Sequence, residues 1–135
     1  MQTIKDEIGR DIALVLSMSD YAHEKLKKFY SEPDDILQFG SLFFPAKSEA
    51  KPHIHKSKTI GEIQTMEIIF VIKGTVQATI YGTNKKVLTN INLNVGDILI
   101  QKMGGHGFKF PCDTKILEIK NGQYYGHDID KEMIE

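Results

Sequence analysis

The chain has 135 residues, of which 41% are hydrophobic and 26% charged, the proportions of an ordinary globular domain and not of a disordered or fibrous one. Its formal net charge is -1 and its lysines are scattered apart from Lys25, Lys27 and Lys28, so no strong field draws it to a polyanion and no nucleic-acid partner is expected. No run reaches the roughly eighteen apolar residues of a membrane-spanning helix, and the opening MQTIKDEIGRD has no basic start followed by an apolar core; no membrane partner and a cytoplasmic setting are expected.

The length suits one domain over residues 1–135 with a single core. The one cysteine, Cys112, cannot form an intramolecular disulfide, in keeping with a reducing compartment. It follows Pro111 in a predicted loop, and no neighbour in sequence marks it as activated.

Taken in order, the apolar run between Asp11 and Met18 predicts a buried strand. Ser19 or Asp20 then caps a short helix over Tyr21 to Tyr30, with Ala22, Leu26 and Phe29 on one face and lysines on the other. His23 is expected on the solvated side of that helix. Residues 36–44, ILQFGSLFF, predict a strand in which Gly40 marks a bulge or a close backbone approach. Gln38 is its one long polar residue, either facing solvent or bonding inside a pocket.

A loop over residues 45–52 leads to His53 and His55. In a strand these two imidazoles point to the same face, so both can reach one cation; the same spacing also arises by chance on a surface strand. Residues 63–72 form the longest apolar stretch. One face carries Ile63, Thr65, Glu67, Ile69 and Val71, and the other Gln64, Met66, Ile68, Phe70 and Ile72. Both faces ask for cover, and a second copy of the chain is the expected cover for one of them, hence a homodimer.

Lys73-Gly74 turns into an alternating strand over residues 75–81, and a further turn at Gly82 to Lys85 leads to a strand in KKVLTNINL. A turn at Asn94 to Gly96 precedes another strand, and Gly104-Gly105-His106-Gly107 holds one histidine among residues without bulk. Residues 114–120, TKILEIK, predict the last strand, on which Glu118 and Lys120 share a face. They either reach the interior as acid, base or substrate anchor, or, if Leu117 and Ile119 face the core, lie in solvent. The polar tail holds Tyr124, Tyr125 and His127. Tyr124 and Tyr125 line a pocket mouth or pack the tail, and His127 is expected to be exposed. Many short strands with turn residues between them predict a sandwich or barrel.

Glu67 inside an apolar run must pair or protonate, and a cation held by His53 and His55 would be such a partner. His53-x-His55, Glu67 followed by six residues and Gly74, then Gly96-Asp97 and the glycine-flanked His106, resemble the two motifs of the cupin superfamily. The resemblance spans about residues 36–120 and implies an all-β jelly-roll barrel, or double-stranded β-helix, with one short N-terminal helix; a strand and helix over 11–30 would precede the barrel. It implies one divalent transition metal (Fe, Mn, Ni, Co, Cu or Zn) held by His53, His55, Glu67 and His106.

Two departures are visible. Eleven residues separate His55 from Glu67, more than the common pattern has, so Lys56 to Glu62 must loop out of the sheet. Lys102 stands where the second motif usually has proline. The ending also resembles small bacterial cupins, some linked to polysaccharide or sugar-nucleotide synthesis. The implied function is an enzyme acting on a small polar or carbohydrate-related substrate, with Glu118, Lys120 and Tyr124 as candidate catalytic groups and Gln38 as a pocket residue. The alternatives are a non-catalytic module that binds or senses a small ligand, and a structural barrel with a vestigial site.

Overall fold

The computed structural model describes the chain except for residues 6, 7, 10, 16, 17, 23, 24, 57–64, 123–125 and 127–129. The strands are β1 (Gln2–Lys5), β2 (Asp11–Val15), β3 (Lys28–Phe29), β4 (Leu37–Phe44), β5 (Ser48–His55), β6 (Glu67–Lys73), β7 (Thr75–Tyr81), β8 (Val87–Asn94), β9 (Ile98–Gln101), β10 (Gly105–Phe110), β11 (Thr114–Asn121) and β12 (Lys131–Met133), with one short helix, α1 (Met18–Tyr21). Two five-stranded sheets face each other, in the orders β12-β5-β10-β7-β8 and β3-β4-β11-β6-β9, while β1 and β2 form a separate hairpin. Every pairing is antiparallel. From β4 to β12 the chain passes back and forth between the sheets, the winding of a jelly-roll barrel.

Alternation along the strands sends one face of each sheet inward. Leu42 and Phe44 of β4, Ile69 and Val71 of β6, Val76 and Ala78 of β7, Phe108 and Phe110 of β10, and Ile116 of β11 meet in one core. Phe44 stacks on Phe110 at a ring separation of 4.0 Å, closing one end of the barrel with aromatic carbon. At that end Gly74 turns the chain with φ +81°, and a Cβ there would lie 2.5 Å from the Asp113 carbonyl oxygen. The other end is left to polar side chains.

The expected helix over residues 21–30 is corrected. Helix α1 ends at Tyr21, and Lys28 and Phe29 instead pair with Ser41 and Gly40 of β4. The spacing of Leu26 and Phe29 mimicked a helical stripe, but both are more than half exposed, so no apolar face was there to hold a helix. The free edge of β4 supplied a stronger partner: Tyr30 N donates to Phe39 O at 2.9 Å. Gly40 makes the contact possible, since a Cβ there would sit 2.8 Å from the Phe29 ring. His23 and residues 57–62 of the expected insertion lie outside the described residues, as do Tyr124, Tyr125 and His127.

Candidate metal centre

Strands β5, β6 and β10 bring the four expected ligands together at the polar end of the barrel. His53 and His55 project from β5, and register places His106 of β10 directly across from His53. That close approach depends on the flanking glycines. A Cβ on Gly105 would lie 2.6 Å from His53 O, and one on Gly107 would lie 2.8 Å from the Pro52 ring. Phe108 stacks under His106 with centroids 4.4 Å apart and fixes the ring plane from below.

Glu67 opens β6 in the facing sheet and is 2% exposed. Its Oε2 lies 3.2 Å from His55 Nε2 and 3.1 Å from His106 Nε2. The ligand-type atoms of His53, His55 and His106 all fall within 4.8 Å of one another. Donors bound to one ion at about 2.0–2.2 Å stand roughly 3 Å apart, so this spacing suits joint ligation as well as hydrogen bonding.

Electrostatics point the same way. His53 Nδ1 donates to the Lys51 carbonyl at 2.8 Å, which fixes the tautomer and leaves Nε2 with its lone pair. Nε2 of His53 is buried and has no hydrogen-bond partner among the described residues, and the same holds for Nδ1 of His55 and His106. A buried acceptor in that state costs free energy unless something fills it. Burial, then the charge of Lys131, pushes the His53 pKa down to about 3, and burial lowers that of His55. These two imidazoles are therefore neutral near pH 7, the form that binds metal. Burial pushes the Glu67 carboxyl up, but hydrogen bonds from His106 and His55 outweigh it and hold the carboxyl well below its usual range. Neutral imidazoles at His53 and His55 and an ionised carboxylate at Glu67 fit a divalent transition ion.

The expected extension between His55 and Glu67 is pinched at its base. Thr65 Oγ1 donates to the Lys56 carbonyl at 3.1 Å, so the extension leaves and rejoins the barrel at nearly one point, and Glu67 keeps its place in the sheet.

A cavity of about 360 Å³ opens beside His53, Glu67 and His106. Of the two placements open to Glu118 and Lys120, the structure takes the inward one. Both line the cavity, with Lys120 paired across from Glu67. Burial, then the charge of Glu67, raises the Glu118 pKa to about 8, and the two carboxyls share a hydrogen bond. Leu117 and Ile119, expected to face the core, point to the outside of the sheet and are only half-buried.

Gln38 also lines the cavity, and its amide is committed. Its Nε2 donates to the carbonyls of Glu32 and Asp35, each at 2.9 Å, and its Oε1 accepts from Ser31 Oγ at 3.2 Å. It thus pins the 31–35 turn against the pocket wall. Two cavity residues escaped the sequence reading. Lys131 comes from the polar tail through the three-residue strand β12, which pairs with β5 and sets Lys131 beside His55. Lys27, read as part of a solvated helix face, reaches over the Phe44 ring at 4.6 Å. A three-residue strand has no periodicity to detect, and nothing in the tail's composition singles Lys131 out.

The fold agrees with known structures. An uncharacterised conserved protein with a double-stranded β-helix domain from Klebsiella pneumoniae superposes with a TM-score of 0.63 at 17% identity, covering 92% of this chain and 99% of that one. This chain folds as a cupin. A cupin-2 domain protein from Shewanella frigidimarina (TM-score 0.56, 19% identity, 80% and 95% covered) and KdgF from Halomonas sp. (0.57, 18%, 73% and 79%) share the cupin fold. No protein-family profile and no curated protein sequence matches the cupin chain.

Proposed function

We propose that this cupin is a metal-dependent enzyme acting on a small polar molecule in the barrel lumen. The observation that carries the reading is the buried His53 Nε2, without a hydrogen-bond partner among the described residues, which clusters with His55 and His106 and, with His106 and Glu67, stands on the wall of a cavity. A structural barrel would fill that end with apolar side chains, as it does at Phe44 and Phe110. Bound there, a divalent ion would polarise a substrate oxygen or lower the pKa of a water. The chain itself supplies a carboxyl, Glu118, within hydrogen-bond reach of Glu67 and facing the same space, which is where an acid or base for the substrate must stand.

Elemental analysis of the purified and reloaded cupin tests the centre. One divalent ion per chain is expected in the wild type, with loss in His53→Ala and His106→Ala. Retention of the ion by both variants refutes the ligand set. Incubating the loaded protein with a metabolite extract tests the activity: a compound consumed by the wild type and spared by Glu118→Gln supports an enzyme. A compound that is bound and never consumed favours the sensing or binding module instead.

We further propose that the cupin is a homodimer through the outer face of the β3-β4-β11-β6-β9 sheet. Ile98 and Ile100 are more than half exposed there, next to half-buried Ile68 and Phe70. A second copy is the natural cover for such a face.

A further inference from the structure

We propose that the cavity wall facing the metal centre is a carboxylate-binding subsite formed by Lys27, Lys120 and Lys131, so that the ligand of this cupin is a small organic acid with a short apolar body. The inference rests on the lumen being the functional pocket, and it names what the pocket takes.

Three lysines arrive from three separate parts of the chain: Lys27 from the segment before β3, Lys120 from β11 and Lys131 from β12. Lys120 and Lys131 are held in place by strand register, opposite Glu67 and His55 respectively. Lys120 is 5% exposed, so its stem is packed and its head cannot wander into bulk water. The charges of Glu118 and Glu67, then those of Lys120 and Lys27, are felt at Lys131, so the three lysines and two carboxyls act on one volume. Bringing like charges together in a partly desolvated space is unfavourable unless anions offset them.

Among the described residues the protein's own anions in the cavity are Glu67 and Glu118. Glu67 also meets His55 and His106, and Glu118 faces Glu67 as well as the charges of Lys120 and Lys131. With a dication at the histidines, at most two carboxylates would face that dication and three ammonium groups. The excess is positive, and an anionic ligand would balance it.

The rest of the lining distinguishes an organic acid from a neutral sugar. A sugar needs several neutral donors and acceptors. The two uncharged polar side chains on the wall, Ser31 and Gln38, are already engaged: Ser31 Oγ accepts from Phe39 N at 2.9 Å and donates to Gln38, whose amide holds the Glu32 and Asp35 carbonyls. Leu42, Phe44, Phe108 and Ile116 line the remainder. A lining of carbon and ammonium groups matches a short-chain carboxylate.

Titration calorimetry with malonate and succinate, against the uncharged malonamide and succinamide, tests this on both metal-free and zinc-loaded full-length protein. At least one diacid is expected to bind, with its diamide about tenfold or more weaker. Lys120→Gln and Lys131→Gln are each expected to weaken diacid binding about tenfold, the usual cost of one charge-assisted hydrogen bond. Lys131→Met, which keeps the packed stem, is expected to match Lys131→Gln, and Lys109→Gln, on the exposed side of β10, to bind as wild type. Thermal melts confirm that each variant is folded, and elemental analysis reports its ion content in parallel. Equal binding of diacid and diamide, undiminished binding in folded lysine variants, or no binding of either diacid to either form would overturn the subsite. Lysine-dependent binding to a protein that takes up no metal would leave the subsite standing and remove the metal centre.

Discussion

Replacing Glu118 by glutamine should change how stability depends on pH, with a sign that the site dictates. In the native cupin this carboxyl keeps its proton up to about pH 8, against 4.5 in the unfolded chain. Between those values the native state binds more protons than the unfolded state, so this group stabilises fully below pH 4.5 and its contribution is lost as the pH rises towards 8. The difference of about 3.5 units, at about 1.4 kcal/mol per unit, sets a ceiling near 5 kcal/mol. Urea unfolding of metal-free wild type and Glu118→Gln at steps from pH 5 to pH 8 reads it directly. His53 contributes the opposite slope, losing stability as pH falls from 6.5 towards 3, but it is present in both proteins and cancels in their difference. The wild type should lose about 1 kcal/mol or more per pH unit relative to the glutamine variant across the middle of the range. Stability curves that stay parallel to within about 0.5 kcal/mol would show that Glu118 titrates normally and is not enclosed with Glu67.

Three further outcomes follow from the same geometry. Saturating zinc at about a hundred times its dissociation constant should raise wild-type stability by about 2.7 kcal/mol and leave His53→Ala unchanged, as measured by urea unfolding with and without chelator. Phe110→Ala, which empties the apolar end of the barrel where Phe110 is 1% exposed and stacked on Phe44, should cost about 3–5 kcal/mol without altering ion content. Ile100→Lys on the outer sheet face should shift the cupin to monomers in light scattering while ion content stays at the wild-type level; an unchanged mass would place the subunit contact elsewhere.

The cluster of His53, His55, Glu67 and His106 was legible because its histidines carry local signatures. Two imidazoles at i and i+2 share a face in any strand, and His106 stands between glycines that only a close strand crossing requires. Gly40 was readable for the same reason, as the position over which the Phe29 ring lies. The lysine wall was not legible, and the cause is physical. Along residues 114–120 the apolar count favours Leu117 and Ile119 as the inward pair, yet Thr114, Ile116, Glu118 and Lys120 face the lumen. Hydrophobic alternation reports which face meets the core, and a polar cavity at one end of a barrel inverts that rule over the last two inward positions. The segment over 21–30 failed differently: its side-chain spacing was helical, but an open strand edge offered backbone partners that spacing cannot reveal.

The bond between Thr65 and the Lys56 carbonyl has a consequence for how this protein can change over time. Because the insertion begins and ends at almost the same place, its length is uncoupled from the position of Glu67, and doubling a loop of this kind costs only about 0.6 kcal/mol in closure entropy. Residues can be gained, lost or exchanged there while the ion's carboxylate stays where it is. The position of Glu67 in the barrel is thus independent of how long this segment is.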